Sequence, residues 1–477
     1  MDVLFVAAEA WPFAKSGGLG DVIGSLPNAL KQQGINVRVI MPLYSNIAEG
    51  FRTKMRLCDE FKVNLGWRSQ YCGLRELEHE NVHFYFIDNE YYFKRDILYG
   101  CFDDAERYAY FCRAVLKSLP RMDDFRPDIL HCHDWHSALI PFMIRHSYKR
   151  QAYYYQIHTL FTIHNLCYQG RYSGEVFDKV LGWAGQGHLW EQMEYYGDIN
   201  FMKAALLTAD AISTVSPSYA KEIQTEYYGE GLDGILRNRS MDLHGILNGI
   251  DESFYNPVKD TMLHNNYCDP PGKVANKASL QRELGLPEQA RTPLFSIVSR
   301  LAEPKGIDLL DYVMDDLLQQ NVQLVVLGTG EREYENMMRY FASRYPNKMA
   351  LRLVYDEPLA HRIYAGADMI LIPSRLEPCG LTQMIAMRYG TVPIVRETGG
   401  LQDTVQPYNH FDGSGNGFSF HNYNAGELLD TIWRATDLYH NQAAAWAQLS
   451  RQGMAGQFDW QQSAEQYVEL YKQMTHK

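Results

Sequence analysis

Two short segments of this 477-residue chain pair cations with glycines in a way that suits phosphate binding. In the first, residues 15–20, Lys15 precedes Gly17, Gly18 and Gly20 at the start of a predicted helix. Glycines there let backbone N–H groups approach an anion, and the helix dipole favours negative charge. The pattern predicts an anion-binding loop, although a glycine-rich turn can also be a simple geometric connection.

The second segment contains Arg300 and, five positions later, Lys305, in a predicted strand-to-helix turn of the other half of the chain. Charge-assisted hydrogen bonds contribute about 1.5–3 kcal/mol each, more than the roughly 0.3–1 kcal/mol of a helix dipole. We therefore expect these side chains to dominate the binding of a diphosphate. The alternative is that both are solvated surface cations.

A divalent metal ion is not expected at this phosphate site. The sequence contains no Asp-x-Asp pair, so the charge of a departing diphosphate would be neutralised by Lys and Arg. His131, His133 and His136 could instead mimic a His-x-His metal site, but four ligands with supporting partners are not visible. We interpret them as a hydrogen-bonding cluster at a strand end and predict neither metal nor cofactor.

Further polar residues follow other apolar runs. His164 and Asn165 end the predicted strand 160–164, and Glu377 lies on a tight turn between the predicted strand 369–372 and a helix near 381–389. The carboxylate of Glu377 is the primary candidate for a functional role. Its alternative role is to cap the following helix.

The elements that must position these residues alternate between short apolar runs and amphipathic helical segments, which is typical of βαβ units. We therefore predict an α/β protein with two doubly wound Rossmann-like domains facing a deep cleft, plus antiparallel hairpins at 51–93. Strands are predicted in the first half at 3–8, 35–41, 128–132, 160–164 and 210–215. Those of the second half are predicted at 294–299, 322–327, 350–354, 369–372 and 392–395.

A Pro-, Asn- and Gly-rich zone between 249 and 272 interrupts this alternation and predicts the domain boundary. We predict an N-terminal domain at 1–248 and a C-terminal domain at 249–456. The remaining residues, 457–477, are expected to form a helix that could pack back on the N-terminal domain.

Composition limits the classes of partner. The formal net charge is −12, and the chain has no block of clustered cations, which argues against nucleic acid or an anionic membrane as a partner. No apolar run is long enough to span a bilayer, and the 8 cysteines show no Cys-x-x-Cys pair. We expect a cytoplasmic protein; its oligomeric state is not predicted.

Six segments together resemble the bacterial glycogen synthase and plant starch synthase family. They are residues 15–22, 133–136, 162–170, 248–251, 300–306 and 377–382. The resemblance implies a two-domain glycosyltransferase of the GT-B type, which uses ADP-glucose to extend an α-1,4-glucan such as glycogen with retention of configuration. Donor and glucan are the partners that it implies.

The resemblance also implies roles for individual residues, with Glu377, His164, Arg300 and Lys305 as the catalytic group. Tyr355 would stack on adenine. Phosphate contacts would come from Lys15, Gly18, Arg300, Lys305, Leu381 and Thr382. The sugar and the reacting face would be contacted by Asp134, His164, Asn165, Asn248, Glu377, Cys379 and Gly380.

Two points stay open at this stage. The wider superfamily often carries a second Glu where this chain has Ile385, so no ribose-binding carboxylate is assigned. Glu377 could be a nucleophile or could only stabilise positive charge on the sugar, and the second role is favoured. The alternatives for the whole protein are a glucan phosphorylase, for which no pyridoxal phosphate motif is seen, and a catalytically silent binding protein.

Overall fold

The chain folds as two compact units. A computed structural model describes residues 1–122 and 124–475. Unit 1 comprises Met1–Asn248 and the C-terminal segment that begins at Trp460, and unit 2 comprises Gly249–Asp459. Each unit contains its own large β-sheet.

The large sheet of unit 1 has nine strands in the order β12-β11-β7-β6-β1-β2-β5-β4-β3. Neighbours from β12 to β5 are parallel, whereas β4 is antiparallel to both β5 and β3. The strands are β1 Asp2–Val6, β2 Asn36–Pro42, β3 Arg56–Leu65, β4 Arg68–His79, β5 Val82–Asp88, β6 Ile129–His133, β7 His158–Ile163, β11 Ala211–Thr214 and β12 Leu243–Gly245.

Helices and a small second sheet complete unit 1. The small sheet has the order β8-β10-β9, formed by β8 Arg171–Ser173, β9 Glu194–Tyr195 and β10 Asp198–Asn200. The helices are α1 Gly18–Gln32, α2 Glu49–Arg52, α3 Glu90–Phe93, α4 Asp104–Ser118, α5 Leu139–Met143, α6 Glu175–Lys179, α7 Gly187–Met193, α8 Phe201–Thr208, α9 Pro217–Glu222, α10 Asp233–Asn238 and, from the C-terminal segment, α19 Gln461–Thr475.

Helix α19 packs against α1 and reaches the sheet of unit 1. The Tyr471 hydroxyl lies 2.8 Å from Nδ1 of His131, which is fully buried on β6. The C-terminal helix therefore contributes a hydrogen-bonding partner to a strand at the centre of this unit.

Unit 2 contains a six-stranded sheet in the order β15-β14-β13-β16-β17-β18, parallel throughout. The strands are β13 Leu294–Val298, β14 Gln323–Leu327, β15 Met349–Arg352, β16 Met369–Ile372, β17 Val392–Arg396 and β18 Phe418–Phe420. The helices are α11 Lys273–Leu284, α12 Ile307–Gln319, α13 Arg332–Arg344, α14 Glu357–Gly366, α15 Thr382–Arg388, α16 Gly399–Thr404, α17 Ala425–Asn441 and α18 Ala443–Met454.

The hydrophobic pattern explains why these segments form a covered parallel sheet. Strands β14 and β16 are buried along their whole length, as expected when helices cover both faces. Helix α12 buries Ile307, Leu310 and Leu317, which recur at helical spacing on one face. Apolar burial of this kind is the main source of stability of the unit.

The sequence predicted the strands of both large sheets to within one or two residues at most ends, apart from the short edge strands β12 and β18. Those two and the small sheet of unit 1 have only two or three residues per strand, too few to show a periodic signal. The hairpins expected at 51–93 are β3, β4 and β5. In the described part of the chain, 1–122 and 124–475, no helix combines the length and the apolar character that crossing a membrane requires.

Candidate active site

In each unit several of the predicted site residues follow the two strands between which the order of the sheet reverses. Strand β1 lies between β2 and β6 in unit 1, and β13 lies between β14 and β16 in unit 2. Segments after β1 and β6 carry Lys15 and Asp134, and those after β13 and β16 carry Lys305 and Glu377. Open parallel sheets bind ligands beyond the carboxyl ends of strands at such a reversal.

A small pocket lies at this position in unit 2. Its lining includes three predicted site residues, Lys305, Glu377 and Thr382. The other lining residues are Ile297, Val298, Ser299, Ile307, Leu371, Ile372, Pro373 and Ser374. Its lining is thus mostly apolar, with a few charged and hydroxyl groups.

Lys305 and Glu377 form a direct ion pair in this pocket. The Lys305 ammonium lies 2.9 Å from Oε1 and 2.6 Å from Oε2 of Glu377, and the Ser374 hydroxyl donates to Oε2 at 3.0 Å. The two side chains are 25% and 10% exposed, so water screens them only in part. The sequence analysis predicted both residues for the site but not their contact.

The Arg396 side chain on β17 holds the turn that carries Glu377. The Arg396 guanidinium donates to the carbonyl oxygens of Ser374 at 2.9 Å and Arg375 at 2.7 Å. The backbone N–H of Arg375 in turn donates to the Pro304 carbonyl at 3.0 Å, which ties this turn to the loop of Lys305. The sequence analysis did not single out Arg396, because only its buried position at a strand end distinguishes it.

The other side of the turn touches two glycines at the start of α16. The N–H of Gly400 donates to the Glu377 carbonyl at 3.2 Å. A Cβ on Gly399, whose φ is +45°, would lie 2.0 Å from the same oxygen, and one on Gly400 would lie 2.1 Å from the Cys379 carbonyl. Only glycine allows the backbone of α16 to approach this closely.

Gln383 braces the turn from the first residues of α15. Its amide nitrogen donates to the carbonyl of Gly380 at 2.8 Å and to that of Cys379 at 3.2 Å. This side chain therefore holds the turn itself. Cys379 is buried, and Leu381 precedes α15 as its N-terminal cap residue.

Two predicted donor-binding residues of unit 2 lie outside the pocket lining. Arg300 is exposed, and its guanidinium has no hydrogen bond or ion pair with any residue in 1–122 or 124–475. Tyr355 follows β15, is 73% exposed and donates its hydroxyl to Oε2 of Glu357 at 2.6 Å. Both are accessible to a ligand.

In unit 1, the glycine-bearing loop wraps around the buried carboxylate of Glu9. This carboxylate accepts hydrogen bonds from the backbone N–H groups of Ser16 at 2.5 Å and Gly17 at 3.2 Å, and from the Tyr99 hydroxyl at 2.5 Å. The Glu9 carboxylate thus fixes the loop from inside, a role that the sequence did not reveal.

The outer side of this loop carries the predicted phosphate-binding groups. Lys15 forms an ion pair with Asp21 at 2.7 Å. A Cβ at Gly18, the first residue of α1, would meet no atom within 4 Å, so the surface beside it is open.

Asp134 and His164 meet at the ends of β6 and β7. Oδ1 of Asp134 accepts from the backbone N–H of His164 at 2.8 Å, and Asp134 has a φ of +55°. Burial raises the pKa of Asp134 to about 7, against the lowering effect of the N–H groups of His164 and Asn165. Burial lowers the pKa of His164 to about 3, so its imidazole is neutral at neutral pH.

His131 and His133 form hydrogen bonds through ring nitrogens, as predicted for this cluster, whereas neither ring nitrogen of His136 has a hydrogen-bond partner among residues 1–122 and 124–475. Nδ1 of His133 lies 3.0 Å from Nε2 of His164, and Nε2 of His131 lies 2.6 Å from the Thr162 hydroxyl. Burial lowers the pKa of His131 and of His133 well below the usual range. Asn248 is buried too, and its Oδ1 has no hydrogen-bond partner in the described part of the chain.

Family models match most of the chain. "Starch synthase catalytic domain" matches residues 2–238, and "Glycosyl transferases group 1" matches residues 280–452. Glycogen synthases of Clostridium novyi and Geobacillus stearothermophilus are each 51% identical over 479 residues, which covers 100% of this chain and 100% and 98% of theirs.

Solved structures of glycosyltransferases are also similar to this chain. The catalytic domain of starch synthase IV from Arabidopsis thaliana, bound to ADP and acarbose, superposes with a TM-score of 0.91 at 34% identity, covering 100% of this chain and 99% of that one. The sucrose-phosphate synthase of Thermosynechococcus elongatus has a TM-score of 0.62 at 20% identity, and the match covers 100% of this chain and 99% of that one. This second likeness supports the fold alone.

Two doubly wound domains, each with polar residues at the reversal of its sheet, define a glycosyltransferase of the GT-B type, as the fold prediction stated. The chain belongs to the bacterial glycogen synthase and plant starch synthase family. The resemblance inferred from the sequence motifs is thereby confirmed.

The contact between Gly399 and the Glu377 turn yields a first prediction. Gly399→Ala should lower turnover about 10- to 100-fold, because a Cβ at 2.0 Å from the Glu377 carbonyl must displace the turn and its carboxylate. Initial rates would be measured on protein whose folding is checked by circular dichroism. Gly50→Ala, where a Cβ meets nothing within 4 Å, is the matched control. Full activity in Gly399→Ala would show that the close approach is not needed.

Burial of Asp134 yields a second prediction, on stability against pH. Its pKa of about 7 exceeds the unfolded value, so the folded state binds the proton more tightly and stability is lost as pH rises from about 4 to 7. Between pH 5 and 8, Asp134→Asn should gain about 2–3 kcal/mol of unfolding free energy relative to the unsubstituted protein. Urea titrations at several pH values measure this difference. If the unfolding free energies of the two proteins change with pH in the same way, the raised pKa of Asp134 is contradicted.

Proposed function

We propose that this glycosyltransferase transfers glucose from ADP-glucose to the non-reducing end of an α-1,4-glucan with retention of configuration, and so elongates glycogen. The observation that carries the proposal is the Lys305–Glu377 pair in a pocket at the reversal of the unit 2 sheet. Relatives of this chain are named glycogen synthase, and a similar starch synthase structure is bound to ADP and acarbose. Both findings support ADP-glucose as the donor and a glucan as the acceptor.

Lys305 is suited to take up charge on the departing ADP. Breaking the sugar–phosphate bond moves negative charge onto the phosphate, and an ammonium placed there stabilises the transition state more than the ground state. A phosphate that binds Lys305 must compete with the Glu377 carboxylate for it. Donor binding would then release that carboxylate toward the sugar.

Glu377 suits an electrostatic role on the sugar. Its position is fixed by the Ser374 hydroxyl, and the turn beneath it by Arg396, so the carboxylate is preorganised. Next to a developing oxocarbenium ion it would stabilise positive charge while the acceptor attacks on the side of the leaving group. This route retains configuration without a second carboxylate placed as in a retaining glycosidase.

The neutral groups of unit 1 suit hydroxyl recognition. His164 is uncharged at neutral pH, so it would exchange hydrogen bonds with sugar hydroxyls and would not bind phosphate as a cation. Asp134 and Asn165 are held beside it through backbone hydrogen bonds. The same proposal keeps Asn248 as a sugar contact.

The other donor contacts remain part of the proposal as the resemblance implies them. Phosphate would be bound by Lys15, the Gly18 N–H, Arg300 and the N–H groups of Leu381 and Thr382. Cys379 and Gly380 would lie alongside the sugar, and Tyr355 would stack on adenine. The N-terminal domain, 1–248, would serve the acceptor and 249–456 the donor, in a cytoplasmic enzyme that needs no metal ion.

The proposal predicts the effect of removing the cation. Lys305→Ala should lower turnover with ADP-glucose by about 10²- to 10³-fold, the range found for a lost oxyanion donor. Incorporation of labelled glucose into glycogen measures the rate. Lys179→Ala, at an exposed lysine on α6, is the matched control and should be unchanged. A near-normal rate in Lys305→Ala would remove this ammonium from the mechanism.

The same assay separates the proposed function from its alternatives. We expect incorporation from ADP-glucose in the presence of EDTA, and less from UDP-glucose. Phosphate-dependent release of glucose 1-phosphate would instead identify a phosphorylase. Tight ADP binding without any incorporation would identify a silent binding protein.

A further inference from the structure

Tyr355 is an exposed ring whose polar end is held in place. The ring is 73% exposed, and its hydroxyl donates to Oε2 of Glu357 at 2.6 Å. Glu357 is the first residue of α14, and Asp356 caps that helix by accepting from the N–H of Leu359 at 2.9 Å. The ring is therefore anchored to a rigid helix start and not to a mobile loop.

The second oxygen of Glu357 is held as well. Oε1 accepts from the Tyr255 hydroxyl at 3.2 Å and lies 3.6 Å from Nε2 of His361, one helical turn further along α14. The Glu357 side chain is 27% exposed, so it faces solvent on one side and this cluster on the other. Both carboxylate oxygens thus have fixed partners.

Behind Glu357 lies a buried group that we name the imidazole array, formed by His361, Asp260 and Tyr389. Oδ2 of Asp260 lies 2.6 Å from Nδ1 of His361 and accepts from the Tyr389 hydroxyl at 2.6 Å. The Tyr255 ring stacks on the imidazole at 5.0 Å between ring centroids, 23° from parallel. His361 itself is fully buried.

Charge interactions also link the imidazole array to Glu357. Burial by itself lowers the pKa of His361, but hydrogen bonds and charge interactions with Asp260 and Glu357 outweigh it and leave the pKa raised. The pKa of Asp260 is lowered: burial alone would raise it, but its bonds with His361 and Tyr389 prevail. The carboxylates of Asp260 and Glu357 thus favour the protonated form of the ring, and the same attraction adds to packing in fixing the position of Glu357.

We propose that Glu357 is a positioning residue for the nucleotide base: the imidazole array fixes its carboxylate, which holds the Tyr355 ring in the plane on which adenine stacks. The inference rests on the proposed function, in which Tyr355 contacts adenine. Neither Tyr355 nor any group of the array lines the pocket of Lys305 and Glu377. The effect should therefore fall on donor affinity and not on glucose transfer.

The physical reason is preorganisation of an exposed ring. An exposed tyrosine without a fixed hydroxyl rotates about its side-chain bonds, and a base that stacks on it must stop this rotation. The Glu357 bond restricts the ring before the ligand arrives. Removing either end of this bond should have the same consequence, because both ends serve one interaction.

A double-mutant cycle on full-length protein tests this coupling. Tyr355→Phe keeps the ring and removes the hydroxyl, and Glu357→Met keeps the length and removes the acceptor. Each change should raise the Kd for ADP, measured by calorimetry, about fivefold, and the double variant should match either single one. Glu357→Gln, which keeps an acceptor oxygen but loses the charge, should weaken ADP binding less than Glu357→Met does.

Controls separate this role from a merely structural one. In the single variants the Kd for ADP should change by a larger factor than turnover at saturating ADP-glucose, since the positioned group affects binding. Tyr312→Phe, at a ring that is 78% exposed, is the matched control and should leave the Kd unchanged. Additive losses in the double variant, or turnover that falls as much as affinity, would overturn the proposal.

Tyr355→Ala distinguishes failure of the inference from failure of the proposed function. Loss of the stack should weaken ADP binding at least about tenfold. If this variant loses affinity while the cycle is additive, only the role of Glu357 is wrong. If Tyr355→Ala binds ADP as well as the unsubstituted protein, the assignment of adenine to this ring is wrong, and the inference is overturned together with it.

Discussion

The structure of unit 2 depends on keeping one ammonium and one carboxylate together in a largely apolar pocket. Lys305 follows β13 and Glu377 follows β16, and the two strands pair side by side in the sheet. Charges of opposite sign at this depth must stay paired, because an isolated one would lose its hydration without compensation. The bonds from Arg396, Ser374 and the Pro304 carbonyl, and the close approach of Gly399, all serve to fix this geometry.

Unit 1 also has a mostly parallel sheet with a reversal of strand order, but the residues at its strand ends differ in charge. Its residues after β6 and β7 are buried and largely uncharged, because burial keeps His164 neutral and raises the pKa of Asp134 toward neutrality. Groups of this kind discriminate hydroxyls by hydrogen bonding but contribute little to the binding of phosphate. The cation that was predicted to bind phosphate in unit 1, Lys15, lies elsewhere, on the loop that Glu9 holds from inside.

The strand pattern and the motif positions were accessible from sequence because each depends on local signals, an apolar run followed by polar residues at its end. The contact between Lys305 and Glu377 was not, since the two residues are 72 positions apart and meet only through the pairing of their strands. Supporting residues such as Glu9 and Arg396 also escaped prediction. Their function lies in hydrogen bonds to backbone groups, which leave no characteristic residue spacing in the sequence.

The proposed mechanism depends on competition between phosphate and Glu377 for Lys305, which ADP binding to Glu377→Gln measures. By calorimetry, we expect this variant to bind ADP about three- to tenfold more tightly than the unsubstituted protein does, because the charge that competes for Lys305 has been removed. Glucose transfer should be almost abolished in the same variant. Glu335→Gln, at an ion pair on α13, should leave the affinity unchanged. Weaker or unchanged ADP binding in Glu377→Gln would contradict the account.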